Sequence, residues 1–279
     1  MSDEQTRFLQ ELAEDLNSRN IQLPSFPDVV INIRTALEDP SCTAERLASV
    51  VRTDPVLVAR LLMAANSAFH NRAGIEITDL DLAISRLGFE VVRNTAITLA
   101  VEQIFEATEH KELRDGVQKI WQTSLALASM CFVIARNSGS INSDNAFLCG
   151  LLHEIGKLYI LTKAADYPQL MGDDASLDTV MQQWSASVGK SIVDAWGFPS
   201  EIADSVDIEE NLNLEGRASA SLVDVVFLAT QVLDDAAHLE EDDGCKVSAG
   251  RLNVSADNYP ALQESYELHA QSLRSSIGG

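Results

Sequence analysis

Apolar residues recur along this chain mostly at intervals of three and four, the spacing that lines one face of a helix. Phe8, Leu9, Leu12 and Leu16 begin the pattern and predict a leading helix over residues 1–20. Leu23-Pro24-Ser25-Phe26-Pro27 interrupts it. Pro27 suits a first helical turn, and Val30, Ile33 and Leu37 then share a face until Asp39-Pro40. Thr43 is placed to cap a helix carrying Leu47, Val50 and Val51. Asp54-Pro55 reads as an N-cap followed by proline at the first helical position, ahead of Leu57, Leu61, Leu62 and Ala65. After a loop at 70–74, Asp79 caps a short helix with Leu80, Ala83, Ile84 and Leu87, Gly88 ends it, and a long helix fills 89–105.

Polar residues 106–115 separate this first lobe, ending near 110, from a second that starts near 116. Trp121, Leu125, Ala128, Phe132 and Ala135 then follow helical spacing up to the stop at 137–140. Ser143 is placed to cap one central helix whose broad stripe is Phe147, Leu148, Leu151, Leu152, Ile155, Leu158 and Tyr159. A helix over 177–196 ends at Gly197-Phe198-Pro199. Leu222, Val225, Ala229 and Leu233 mark another, residues 240–244 read as a solvated acidic loop, and Leu262, Tyr266 and Leu273 mark the last. Strand-like alternation and internal repeats are both missing from the sequence. The expected fold is all-α: a multi-helix bundle with an N-terminal lobe packed on a central lobe, and a helical extension at 216–279 packed on the central lobe.

Composition supports a folded chain of this size, with 46% hydrophobic and 22% charged residues. The formal charge of −22 changes the picture more. Nine Lys/Arg face fourteen Asp/Glu in the first hundred residues, seven face twelve in the second, and four face sixteen from 201 onward. Such a surface repels phosphate backbones and anionic lipid, which argues against nucleic acid and membrane as partners. The four cysteines, at 42, 131, 149 and 245, form no CxxC pair and fit a reducing cytoplasm. The acidic N-terminus does not resemble a signal peptide, and no run of residues suggests a membrane span, so the expected location is cytoplasmic.

The most suggestive chemistry lies in Leu151-Leu152-His153-Glu154-Ile155-Gly156-Lys157, where an imidazole and a carboxylate are adjacent on a buried element. Both are metal-ligand types, but a catalytic metal needs at least three protein ligands. His70, His110, His238 and His269 show no metal spacing, and the plainer reading of His153 is a core histidine hydrogen-bonded in place. Lys157 and Lys190 could meet an anion, but helix lysines usually pair with neighbouring acids. Glu209-Glu210 and Asp234-Asp235 read as solvated faces rather than acid/base pairs, and Trp121, Trp184 and Trp196 as core anchors.

Taken in order, LPSFP at 23–27, RTDPVLVARLLMAANSAF at 52–69, AISRLG at 83–88, IWQTSLALAS at 120–129, GLLHEIGKLYI at 150–160 and VGKSIVDAWGFPSEIADSV at 188–206 resemble an HDOD domain over residues 16–215. That family is similar to the HD-type metal phosphohydrolases of bacterial signalling. By this resemblance the first histidine of the metal site falls on Thr123 and the His-Asp pair on His153 and Glu154. The later ligands fall on Ser185, Glu209, Glu210 and Thr230. The resemblance therefore implies a degenerate site: no catalytic residues, no bound metal or other cofactor, and regulation through signalling proteins recruited in trans. Two alternatives stay open. One is a metal-dependent phosphohydrolase or phosphodiesterase acting on a nucleotide or cyclic dinucleotide through a divalent ion. The other is a nucleotide-binding sensor without turnover.

Overall fold

A computed structural model of the chain describes residues 3–18, 27–71, 74–107, 113–215 and 219–277. The LPSFP segment up to Phe26, His110 and the Arg72-Ala73 step lie outside them. Among the described residues helices are the only regular secondary structure, with no strand. In order, α1 is Asp3–Ser18, α2 Asp28–Leu37, α3 Ala44–Val51, α4 Pro55–Asn66, α5 Leu80–Leu87 and α6 Phe89–Glu106. There follow α7 Arg114–Ser138, α8 Ser143–Leu152, α9 Ile155–Ala164, α10 Pro168–Met171, α11 Asp174–Ala195, α12 Ser200–Val206 and α13 Ile208–Asn211. The last four are α14 Leu222–Asp234, α15 His238–Glu241, α16 Asp243–Arg251 and α17 Tyr259–Ile277.

Helix starts follow the expected side-chain chemistry in most places. Thr43 accepts from the N–H of Arg46, Asp54 from Val56 and Leu57 with Pro55 behind it, and Asp79 from Leu82. Each satisfies an N–H that the first turn leaves without a partner. At α8 the cap is Asn142, one residue before the expected Ser143, because the amide oxygen of Asn142 reaches both Asp144 N and Asn145 N. The acidic stretch at 240–244 is not a loop. It supplies the end of α15 and the start of α16, where Asp242 caps Cys245 N and Asp243 sits in the first turn, a position that favours negative charge.

Two compact units divide the chain. One comprises Met1–Pro24 with Ile104–Tyr259, the other Ser25–Gln103 with Pro260–Gly279. The expected extension at 216–279 is thus split: α14 to α16 pack in the first unit, whereas Pro260–Gly279 goes with the second. There Leu262 and Ala270 of α17 are buried, and the His269 ring meets Phe69 edge-on at 5.2 Å. The second unit is otherwise α2 to α5 and most of α6, with the Arg60–Glu102 ion pair largely shielded from water.

In the first unit α7 is the central post, packed on α8, α9 and α14. Its buried residues are Val117, Ile120, Ser124 and, from Leu127 to Ala135, every residue but Phe132. This is rotated from the expected stripe: Trp121, Leu125 and Phe132 are only half-buried, as are Trp184 and Trp196, so the tryptophans flank the core rather than anchor it. α7 is also long and apolar enough to cross a membrane, with a mean hydropathy of 1.2 in its best window, contrary to expectation. More than half of that window is buried inside the protein, which marks it as a core helix. On α14, buried Asp224 completes a capping box with Ser221 and accepts from Ser248 Oγ at 3.1 Å and Arg251 Nη1 at 2.9 Å. Arg251 also donates to the carbonyls of Asn213 and Leu214, tying α14, α16 and the loop that precedes α14 together.

Candidate functional site

The expected single central helix is two helices, and the break falls on His153 and Glu154. Two glycines on either side account for it. A Cβ on Gly150 would lie 2.7 Å from the backbone of Ala128, so α8 meets α7 backbone to backbone. A Cβ on Gly156 would lie 1.9 Å from the Ser185 carbonyl oxygen and 2.8 Å from Gly189 N, so α9 meets α11 equally closely. One straight rod is not free to satisfy both crossings. The chain turns between them, and the turn carries the His-Glu pair.

Glu154 is buried, and both of its oxygens engage Lys157 Nζ, at 3.0 and 2.7 Å. His153 Nδ1 is buried without a hydrogen-bond partner, so the bond expected of a core histidine is not made at that nitrogen. Burial holds the His153 pKa below the ordinary imidazole value, and Lys157 adds to this, while Glu154 and Asp207 oppose it. Asp207 itself is buried and caps α13 through Glu210 N. Lys190 pairs with Asp204 at 2.7 Å and lies 4.0 Å from Glu210, which raises its pKa. Both lysines are therefore committed to acids.

The other expected positions are spread over four helices and differ in exposure. Thr123 is exposed and turns its hydroxyl back to the Lys119 carbonyl. Its neighbour Ser124 faces the core instead, fully buried, with an unpartnered Oγ. Ser185 is half-buried and contributes its backbone to the Gly156 crossing. Glu209 and Glu210 are exposed on α13, and half-buried Thr230 bonds the Val226 carbonyl. Among the described residues no three His, Cys, Asp or Glu side chains converge in a way that would hold a metal ion. The donor set does not fit a transition metal: it offers one imidazole, and a carboxylate already neutralised by an ammonium.

Sequence reasoning missed Asp207 and Ser124. Asp207 directly follows the SV that closes the last matching motif and caps the next helix, and Ser124 follows Thr123 on the inward face of α7; a linear alignment shows neither placement. A cleft of about 430 Å³ also opens in this unit, lined by Asn142, Asn145, Glu201, Asp204, Asn211 and Ser221 among others. Its ionisable groups are acidic.

Comparison with known proteins identifies the family and the fold. A Treponema pallidum (strain Nichols) protein of uncharacterised function is 23% identical over 239 residues, which is 80% of this chain and 44% of that protein. The chain thus spans less than half the length of that relative. A Shewanella amazonensis SB2B structure, assigned provisionally as a metal-dependent phosphohydrolase, is 23% identical with a TM-score of 0.81, covering 97% of this chain and 99% of that one. A Geobacter sulfurreducens HDOD domain protein of unknown function is 22% identical with a TM-score of 0.71, covering 97% and 99%. A Marinobacter aquaeolei VT8 structure, assigned provisionally to signal transduction, is 19% identical with a TM-score of 0.66, covering 99% of this chain and 65% of its own. These structures share the fold. A sequence model of the HDOD domain matches residues 23–212, nearly the span marked out by the motifs, and the chain belongs to the HDOD domain family.

Proposed function

We propose that this chain is a non-catalytic regulatory module of cytoplasmic signal transduction, acting through protein–protein contacts with partners in trans and without a metal cofactor. The observation that carries the reading is Glu154. In a buried site a carboxylate needs a positive partner, and Lys157 Nζ supplies it at 2.7 Å. A divalent ion would have to displace that ammonium and then find its remaining ligands on Thr123, Glu209 and Glu210, which are exposed. The nucleotide-sensor alternative is less well supported, because the ionisable groups lining the cleft are Glu201 and Asp204, of which Asp204 is paired with Lys190, and an unpaired carboxylate repels phosphate.

The test combines metal analysis with activity. Purified protein is expected to carry less than about a tenth of an equivalent of any transition metal by mass spectrometry. Its melting temperature should not move with added Mn²⁺, Mg²⁺ or Zn²⁺, since a ligand bound to the native state would raise it by mass action. Stoichiometric metal together with phosphodiester hydrolysis, both lost in His153→Ala, would refute the reading.

A further inference from the structure

Helix α4 is apolar on every side. Its inward arc is Leu57, Leu61, Ala64 and Ala65, all buried in the second unit. The outward arc, about 100° wide at 100° per residue, holds Pro55, Val56, Ala59, Met63 and Asn66, all exposed and none charged. Asn66 already uses its amide on the Leu62 carbonyl and on both backbone groups of Ile77. At one edge Arg60 turns to Glu102 in a shielded pair, so the single charge of the helix is neutralised. A surface helix ordinarily gives water a polar face, and a helix that is apolar all round is covered all round. Val56 and Met63 are instead 52% and 45% exposed.

Charge narrows what covers this face. The second unit has 99 of the 279 residues, yet it carries six of the eight exposed large apolar side chains among the described residues: Ile31, Val56, Met63, Ile75, Leu82 and Leu268. It carries little of the acid. Eight Lys/Arg stand against twelve Asp/Glu there, and twelve against thirty in the first unit, so the net charges are −4 and −18. Two copies of the chain repel least where their −4 units meet, whereas a basic partner is drawn to the −18 unit and an acidic one finds no free cation on α4. We propose that the outer face of α4 is the seat of a two-fold dimer, on which a second copy of this chain lays its own α4 antiparallel, with the axis at Ala59. The small Ala59 side chain lets the helix axes approach to about 8 Å. Val56 of each copy then meets Met63 of the other, the reciprocity that a two-fold contact requires. One helix face covers less than the ~800 Å² per partner of a standard interface, so the dimer is weak, with a Kd on the order of 10 µM.

Sedimentation velocity of the full-length chain tests it, over concentrations from about 1 to about 200 µM. Wild type should show a monomer–dimer equilibrium that tightens as NaCl screens the net charge. Ala59→Arg and Ala59→Glu each set a charge against its own image at the axis, and each should weaken the dimer at least tenfold. An equimolar mixture of the two should form a heterodimer within about threefold of the wild-type affinity, because opposite charges then meet across the axis. A head-to-tail contact gives no such rescue. If a charge at position 59 lowers the melting temperature, Met63→Gln, close in shape and at an exposed position, should still weaken the dimer at least threefold. A chain that stays monomeric at about 200 µM, a dimer indifferent to the Ala59 and Met63 substitutions, or a mixture that stays monomeric overturns the proposal. None of these outcomes bears on the metal-free reading, which metal analysis tests separately.

Discussion

The most exposed bet at the scale of single residues is Asp224. A carboxylate that is 1% exposed survives only because Ser221, Ser248 and Arg251 surround it with donors. Asp224→Ala leaves the Arg251 guanidinium without its charged partner in a largely shielded position and removes the capping box of α14. The expected loss is about 3–5 kcal/mol by urea unfolding, at an unchanged m-value. A loss under about 1 kcal/mol would mean that Arg251 is held by the Asn213 and Leu214 carbonyls instead. His153 is the contrasting case. Its Nδ1 is buried and unpartnered, so its effect is on charge: it is kept neutral, and protonating it works against the fold.

Among elements, the decisive feature is the pair of close crossings that break the central helix. Gly156→Ala would place a methyl 1.9 Å from a carbonyl oxygen that is backbone and has little freedom to retreat. It should cost at least about 3 kcal/mol, beyond the usual range for overpacking, with α9 displaced from α11. A melting temperature within two degrees of wild type, measured by calorimetry, would show that the crossing is looser than the geometry implies. Much of the helix plan was legible in the sequence, because caps such as Thr43, Asp54 and Asp79 announce themselves by residue type and local spacing. The break at His153 and Glu154 was not, since it arises from α7 and α11, which are remote in sequence. For the same reason the site was only half legible. The His-Glu pair stood out, but whether Thr123 or Ser124 faces inward depends on the rotation of α7, and the apolar stripe of a helix packed on several sides does not report that.

For the whole molecule the excess of acid is the dominant electrostatic fact. A net charge of −22 on 279 residues is self-repulsion that folding must overcome, and salt screens it as the Debye length falls from about 30 Å at 0.01 M to about 10 Å at 0.1 M. Exposed pairs such as Arg46 with Asp39 weaken over the same range, but such pairs contribute little. The melting temperature is therefore expected to rise by a few degrees between 10 and ~150 mM NaCl; a fall would mean that attractive pairs outweigh the net charge. The Lys157 ammonium on Glu154 has a further consequence, for the paths by which this chain could change. On the metal-free reading proposed above, a histidine introduced at any one of Thr123, Ser185, Glu209 or Thr230 would leave Lys157 seated on Glu154 and is expected to confer no metal binding. Those positions lie on four different helices, so building a metal site on that reading would take several coordinated substitutions together with removal of the lysine.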